Sequence, residues 1–294
     1  MPELPDLTVY RDALVARIVG QPLRRVHIQN PFVLRTAVPP VSDVEGLRVV
    51  DVRRLGKRII LAFERDFYLV MHLMIAGRLR WLQSGAKAPA RITLAMFEFP
   101  TGTLAFTEAG TKRRASLYCV AGAAGLAQFD AGGLEVLDVD LSTFAARLTS
   151  ENHTLKRALT DPRLFSGIGN AYSDEILHRA RLSPMVLTSK LTMDGIARLF
   201  AAIHAVIGEW TERLRAEAGG AFPERVTAFR PEMAVHGRFG LPCPVCGAPV
   251  QRIVYAQNEC NYCARCQTDG VVLADRALSR LLHKSWPRSI DELG

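Results

Sequence analysis

Three groups of residues in this 294-residue chain have types and spacings suited to chemistry. The first is Met1-Pro2-Glu3-Leu4-Pro5-Asp6. Pro2 is small enough for Met1 to be removed. The chain would then start on a secondary amine, fixed in φ, with no side chain blocking its nitrogen. A free α-amino group titrates near pH 8, about two units below lysine, so more of it is nucleophilic at neutral pH. Such an amine attacks carbonyl-like carbons and splits one hard step into two through a Schiff base. Glu3 beside it suits proton transfer. Six residues also match by chance, and a proline-rich arm without chemistry is the competing reading. Rival amines are few, because lysine stands only at 57, 87, 112, 156, 190 and 284.

The second group is Cys243-Pro-Val-Cys246 followed by Cys263-Ala-Arg-Cys266. Two CxxC pairs flanking a stretch long enough for a β-hairpin form the zinc-ribbon pattern, in which four thiolates close a tetrahedral site. A closed four-cysteine site has no open coordination position, so one structural Zn2+ is expected. Cys260 and Cys263 also make a CxxC. The 263/266 register is favoured, since it puts Cys260 on the hairpin. Five of the six cysteines crowd between 243 and 266, which in a chain expected to be cytosolic reads as metal binding and not as a disulfide framework.

The third group is made of turns. Arg53-Arg54-Leu55-Gly56-Lys57 reads as a basic β-turn able to hold a phosphate. His72-Leu73-Met74-Ile75-Ala76-Gly77-Arg78 puts apolar side chains at a turn, where one could wedge into a base stack. Leu155-Lys156 to Asp161, then Gly167-Ile-Gly169-Asn170, predict a helix broken at Asp161-Pro162 and a second helix opened by Asn170 as N-cap. Amides at such a helix start bind anions. Taken singly, each is also an ordinary charged turn, core strand or helical hairpin.

The elements that position these residues follow from patterning. Residues 7–19 have apolar positions at helical spacing. From Leu23 to about Val120, short alternating runs punctuated by Gly and Pro predict a β-sandwich or barrel. Residues 126–150 read as a linker, and helical patterning dominates from about 151. The expected organisation is α+β: a catalytic β-sandwich over 1–125, a helical domain over 151–235, a zinc finger over 236–267 and an extension over 268–294, with a short helix near 275–283. The net charge of +8 and the excess of arginine favour a polyanion partner, nucleic acid first. No apolar run approaches membrane-spanning length and no signal peptide opens the chain. A cytoplasmic, nucleoid-associated monomer without membrane contact is expected.

In order along the chain, Met1-Pro-Glu-Leu-Pro, the Gly56-Lys57 turn, His72-Leu73 to Gly77-Arg78-Leu79, Gly167-Ile-Gly-Asn170 to Glu175, Val235-His-Gly-Arg238 to Pro242-Cys243, and the four-cysteine finger resemble one family. It is the formamidopyrimidine-DNA glycosylase/endonuclease VIII family of base-excision repair enzymes, and the likeness covers roughly residues 1–267. The resemblance implies a β-sandwich, a helix–two-turn–helix domain and a zinc finger, with damaged double-stranded DNA held in the cleft between them. It implies Pro2 as nucleophile at C1′, Glu3 as acid/base partner and Lys57 as a phosphate-binding catalytic residue. The DNA-contacting set it implies is Lys57, His72, Ile75, Arg113, Arg114, Lys156, Asn170 and Asn258. The zinc ligands are Cys243, Cys246, Cys263 and Cys266. The implied activity is a bifunctional glycosylase and abasic-site lyase for oxidised purines, such as 8-oxoguanine and formamidopyrimidines, cutting by β- and δ-elimination. An oxidised-pyrimidine glycosylase of the endonuclease VIII type and a non-catalytic damage-binding module are the alternatives.

The chain departs from the family pattern at several places. Asp6 stands where glutamate is usual. Met74 replaces a glycine and Ile75 the intercalating methionine. Lys112-Arg113-Arg114-Ala115-Ser116 lacks the aromatic wedge, and Asn258 replaces the finger arginine. These changes bear on lesion preference and DNA affinity more than on elimination chemistry.

Overall fold

A computed structural model describes residues 1–83, 85–110, 112–224, 226, 229–255, 258–274, 280–281 and 286–293. The chain divides into two compact units, residues 1–131 with 210–227, and residues 132–209 with 228–294.

The first unit opens with helix α1 (Leu4–Ile18). Eight antiparallel strands succeed it in two sheets: β1 (Arg25–Ile28), β2 (Val49–Leu55), β3 (Arg58–Phe63), β4 (Phe67–His72), β5 (Gly77–Leu82), β6 (Thr93–Phe99), β7 (Gly102–Glu108) and β8 (Ser116–Ala121). Their orders are β1-β6-β7-β5 and β2-β3-β4-β8. Period-two alternation explains why β3 is buried on both faces. Ile59, Leu61 and Phe63 enter the main core with α1 and the other sheet. Ile60 and Ala62 point the other way, into a second cluster with Tyr68, Val70 and Val120 that Leu126 and Phe129 pack against. A short helix, α2 (Gly122–Ala127), comes after β8.

The second unit carries α3 (Leu141–Thr149), α4 (Leu155–Thr160), α5 (Asn170–Ala180), most of α6 (Met193–Ala218), the hairpin β9 (Gln251–Tyr255) and β10 (Asn258–Tyr262), and α7 (Ala264–Gln267). Phe144 of α3 packs its ring against Phe165 and Phe200 at 5.1 and 5.3 Å.

The stretch expected as a linker is structured. Asp140 caps α3 by accepting from Thr143 N–H at 2.8 Å, and Leu134 exchanges backbone bonds with Leu164 and Ser166. At nine residues α3 is too short to hold by itself, and it is stabilised by burying Phe144 and Leu148. The end of α6 and the segment after it also differ from expectation. Residues 210–227 group with the first unit, where Phe222 packs on Tyr10 and Trp81. The helix expected near 275–283 lies outside the described residues, apart from 280–281.

Candidate active site and zinc centre

In the first unit the N-terminus is tied to the start of α1. Glu3 is the N-cap, and Glu3 and Asp6 form a capping box in which Glu3 N–H donates to Asp6 Oδ2 at 2.9 Å. Both carboxylates and Pro2 are buried. Burial holds the Met1 α-amine below its ordinary 8.0; Arg78 and Lys57 push the same way, against Glu3 and Asp6. Those four side chains are therefore the electrostatic surroundings of the chain start.

Lys57 sits in the β2–β3 turn, next to Gly56 at φ +57° and after the last register pair, Leu55 with Arg58. Arg54 braces that turn, its Nη1 donating to Gly56 O at 2.8 Å. Across the sheet Arg58 pairs in register with His72. Burial drives His72 down to about 4, helped by the Arg58 and Lys57 cations, so it is neutral at pH 7. After His72 the chain turns tightly. Gly77 N–H donates to Leu73 O at 2.9 Å, and a Cβ on Gly77 would meet that oxygen at 2.2 Å. Met74 takes φ +52°, which explains why a glycine suits its position. Ile75 stands at the tip of this turn, 65% exposed. Arg78 folds back, Nη1 donating to Ile75 O and Gly77 O at 3.0 and 2.7 Å.

The Lys112–Ser116 loop is anchored by a residue that sequence reasoning missed. Buried Glu108, at the end of β7, accepts from Arg114 N–H at 3.0 Å and from Ala115 N–H at 3.1 Å. Arg113 reaches the Arg91 carbonyl at 2.7 Å, and Arg114 is exposed. Ala115 belongs to the core, 3% exposed, so an aromatic there would not point outward in this arrangement.

In the second unit α5 holds the polar centre. Gly169 and not Asn170 is the N-cap; Asn170 is the first helical residue, and its Nδ2 donates to Glu259 O at 2.9 Å. Gly167, at φ +81°, makes the turn before it. Lys156 differs most from expectation. Its ammonium is buried and donates to Asn170 O at 2.7 Å, Ser173 Oγ at 2.8 Å and Asp174 Oδ1 at 2.5 Å. All three donors are spent internally. Lys156 therefore fixes the start of α5 and presents no cation to a phosphate. Asp174 Oδ2 also takes His236 Nδ1 at 2.8 Å. Glu175 accepts from the amides of Ala234, Val235 and His236 at 2.7 to 2.9 Å, although burial raises its pKa. The side chain of Asn258 lies outside the described residues.

The Sγ atoms of Cys243, Cys246, Cys263 and Cys266 lie within 4.8 Å of one another. The 243–266 and 246–263 pairs stand at 3.9 and 3.4 Å. Zinc–sulfur bonds of about 2.3 Å put tetrahedral ligand sulfurs about 3.8 Å apart, so the residues fit the ion. Cys260 is buried and faces Asp174 and Lys156, away from this group. The zinc centre is structural, with no coordination position left for substrate.

A two-sheet domain whose first residues are buried beside paired carboxylates and a lysine turn, joined in one chain to a helix–two-turn–helix and a four-cysteine finger, defines a class of DNA-repair glycosylases. Family descriptions match in the same order: "Formamidopyrimidine-DNA glycosylase N-terminal domain" over residues 1–114, "Formamidopyrimidine-DNA glycosylase H2TH domain" over 134–218, and "Zinc finger found in FPG and IleRS" over 240–268. The formamidopyrimidine-DNA glycosylase of Thermus thermophilus is 33% identical over 285 residues, covering 92% of this chain and all of that one. The crystal structure of the MutM (FPG) protein of Thermus thermophilus superposes with a TM-score of 0.73 at 32% identity, over 90% of this chain and 98% of that one. The Lactococcus lactis Fpg, solved in complex with DNA containing an abasic site, gives 0.79 at 25% identity, over 90% and 99%. This chain belongs to the formamidopyrimidine-DNA glycosylase family. Among the described residues no helix is long and apolar enough to cross a membrane.

Proposed function

We propose that this protein is a bifunctional glycosylase and abasic-site lyase that binds damaged duplex DNA as a monomer and removes oxidised purines. The observation that carries the reading is the setting of the chain start: Pro2 and Glu3 are buried, and the half-buried Met1 α-amine is held below its ordinary value by burial, with Glu3, Arg78, Asp6 and Lys57 as its charged neighbours. Once Met1 is removed, the Pro2 nitrogen becomes a secondary amine in those surroundings. Low polarity and neighbouring cations favour its uncharged, nucleophilic form.

The chemistry then runs through this chain's own groups. The Pro2 nitrogen bonds to C1′ as the bond from C1′ to the damaged base breaks, and the base leaves with a proton. Opening of the sugar ring gives an iminium ion, which acidifies the C2′ hydrogens. Loss of one of them expels the 3′ phosphate, and a second elimination expels the 5′ phosphate. Water releases the proline. Glu3 carries the protons. Lys57 and neutral His72 hold phosphate oxygens, Lys57 by charge and His72 as a hydrogen-bond donor. Ile75 fills the gap left by the flipped nucleotide, with Arg113 and Arg114 beside it. The family resemblance assigns backbone contacts on the DNA strand to Asn170, at the start of α5, and to position 258 of the finger. The net charge of +8 and the DNA-bound Lactococcus lactis relative support the partner.

Borohydride reduction during cleavage of an abasic duplex tests the nucleophile. A covalent adduct is expected, mapped by mass spectrometry to an N-terminal peptide beginning at Pro2. An adduct on Lys57, or active protein that retains Met1, overturns the assignment. Incubation with duplexes carrying 8-oxoguanine, a formamidopyrimidine or thymine glycol tests the lesion class. Preference for thymine glycol would place the protein with the oxidised-pyrimidine enzymes.

A further inference from the structure

We infer that His178 is an outer partner of the zinc centre: its Nε2–H donates a hydrogen bond to the Cys243 thiolate and slows loss of the metal. The inference rests on zinc occupying the four-cysteine site, and its test measures that occupancy first.

The imidazole Nε2 stands 3.3 Å from Cys243 Sγ, and both side chains are buried. A zinc-bound thiolate has only lone pairs to offer, so the nitrogen facing it must supply the proton. Four thiolates around a divalent ion leave a net charge of roughly −2. Inside a protein that charge needs donors aimed at the sulfurs. The finger supplies some from its own backbone: Cys266 N–H points at Cys263 Sγ at 3.5 Å, and the Ala248 amide serves Cys246. The donor to Cys243 comes from α5, outside the finger.

The placement of His178 on α5 gives the bond its geometry. Asn170, Asp174 and His178 are spaced four residues apart and therefore lie in one row along one helix face. Asn170 Nδ2 donates to Glu259 O at 2.9 Å, and Asp174 Oδ2 accepts from Asn261 N–H at 3.2 Å. Both bonds are to the hairpin of the finger. His178 completes the row at the metal, and beyond it Gln267 Nε2 reaches back to Leu182 O at 2.9 Å. The imidazole is thus delivered by a helix already fastened to the finger at two other points. Partners of this kind orient the ligand and contribute about 10- to 100-fold to metal affinity.

The test compares wild type with His178→Phe, which keeps a ring but has no donor, and His178→Gln, which keeps a donor. Zinc content is measured first, and a wild-type protein without one zinc per chain would refute the metal site itself. Zinc transfer to a chromogenic chelator should then be about 10- to 100-fold faster for His178→Phe, with His178→Gln in between. With Co2+ in place of zinc, the sulfur-to-metal charge-transfer band should move to lower energy in His178→Phe, because an unbonded thiolate gives up its electron more easily. Unchanged release and an unshifted band in folded His178→Phe would overturn the inference. Should that variant not fold, the wild type decides: the 15N shift of His178 Nε2 in the zinc-loaded protein reports whether that nitrogen is protonated. An unprotonated Nε2 refutes the donor role.

Discussion

His72 ends a strand and Ile75 tips the turn after it, and the two side chains have different physical tasks. Ile75 is exposed on a turn whose shape is set by Gly77 and by Met74 in the left-handed region. It contributes little to the core, so Ile75→Ala should leave the urea midpoint almost unchanged. As a wedge it offsets the unstacking of a flipped base, a few kcal/mol. Excision from a lesion-bearing duplex should slow by one to several orders of magnitude, about 1.4 kcal/mol for each tenfold, while cleavage at a preformed abasic site is scarcely affected. Equal loss on both substrates would sink the wedge role. His72 bears on stability against pH. Its folded pKa, about 4, is below the ordinary 6.5, because burial and the Arg58 and Lys57 cations oppose its charging. The unfolded chain therefore takes up a proton first as the pH falls. The stabilisation present above pH 6.5 is lost between about 6.5 and 4, at no more than about 1.4 kcal/mol per pH unit, less whatever solvent screens. Urea melts at pH 7 and pH 5 should show a smaller drop for His72→Gln than for wild type. Parallel drops would mean that His72 is not held neutral by the fold.

The helices and the finger hairpin explain what could be read ahead of the structure. Zinc ligands come in short pairs because each CxxC turn brings two thiolates to one ion, so the site was legible from spacing alone. Its register was less so, since Cys260 also sits three residues from Cys263. On β10 Cys260 lies in register with Ile253 and is buried beside Asp174. Cys260→Ser should retain one zinc per chain by metal analysis, whereas Cys266→Ser should lose zinc and unfold the hairpin; zinc loss from Cys260→Ser would reverse the register. The sandwich was legible because alternation reports burial, and the first six residues because their order is unusual. The polar centre of α5 was not legible as a network. Asp174 and His236 are 62 residues apart, and nothing in either neighbourhood announces the other. Lys156 misled for the same reason: a lysine in a basic, glycine-bearing stretch looks available until its three acceptors are seen. Helix α3 was hidden by its shortness, nine residues being too few to stand out by pattern or to hold a helix without packing, and Glu108 by standing at a strand end without any local motif.

Across the whole molecule the charge of +8 makes affinity for DNA a function of salt. Position 258 is the first residue of β10, paired in register with Tyr255. An arginine there would add a charge-assisted contact to phosphate if the finger meets the backbone in the pose proposed above. Asn258→Arg should then tighten binding to an abasic-analogue duplex and steepen the plot of log affinity against log salt by about 0.9, read by fluorescence anisotropy. An unchanged slope would show that this end of the finger does not meet the DNA. The seam between α5 and the finger has a consequence for how such a molecule can diversify. On the finger side the row of Asn170, Asp174 and His178 meets main-chain atoms of residues 259 and 261 and the Cys243 sulfur, and the side chains that also meet Asp174, those of His236 and Cys260, are buried. None of these depends on which exposed side chains the finger carries. The helix side is committed, with three particular residues in a row, while the surface of the finger is free to drift. A lineage could therefore retune how the finger grips its nucleic acid, one substitution at a time, without having to reinvent the joint that holds it.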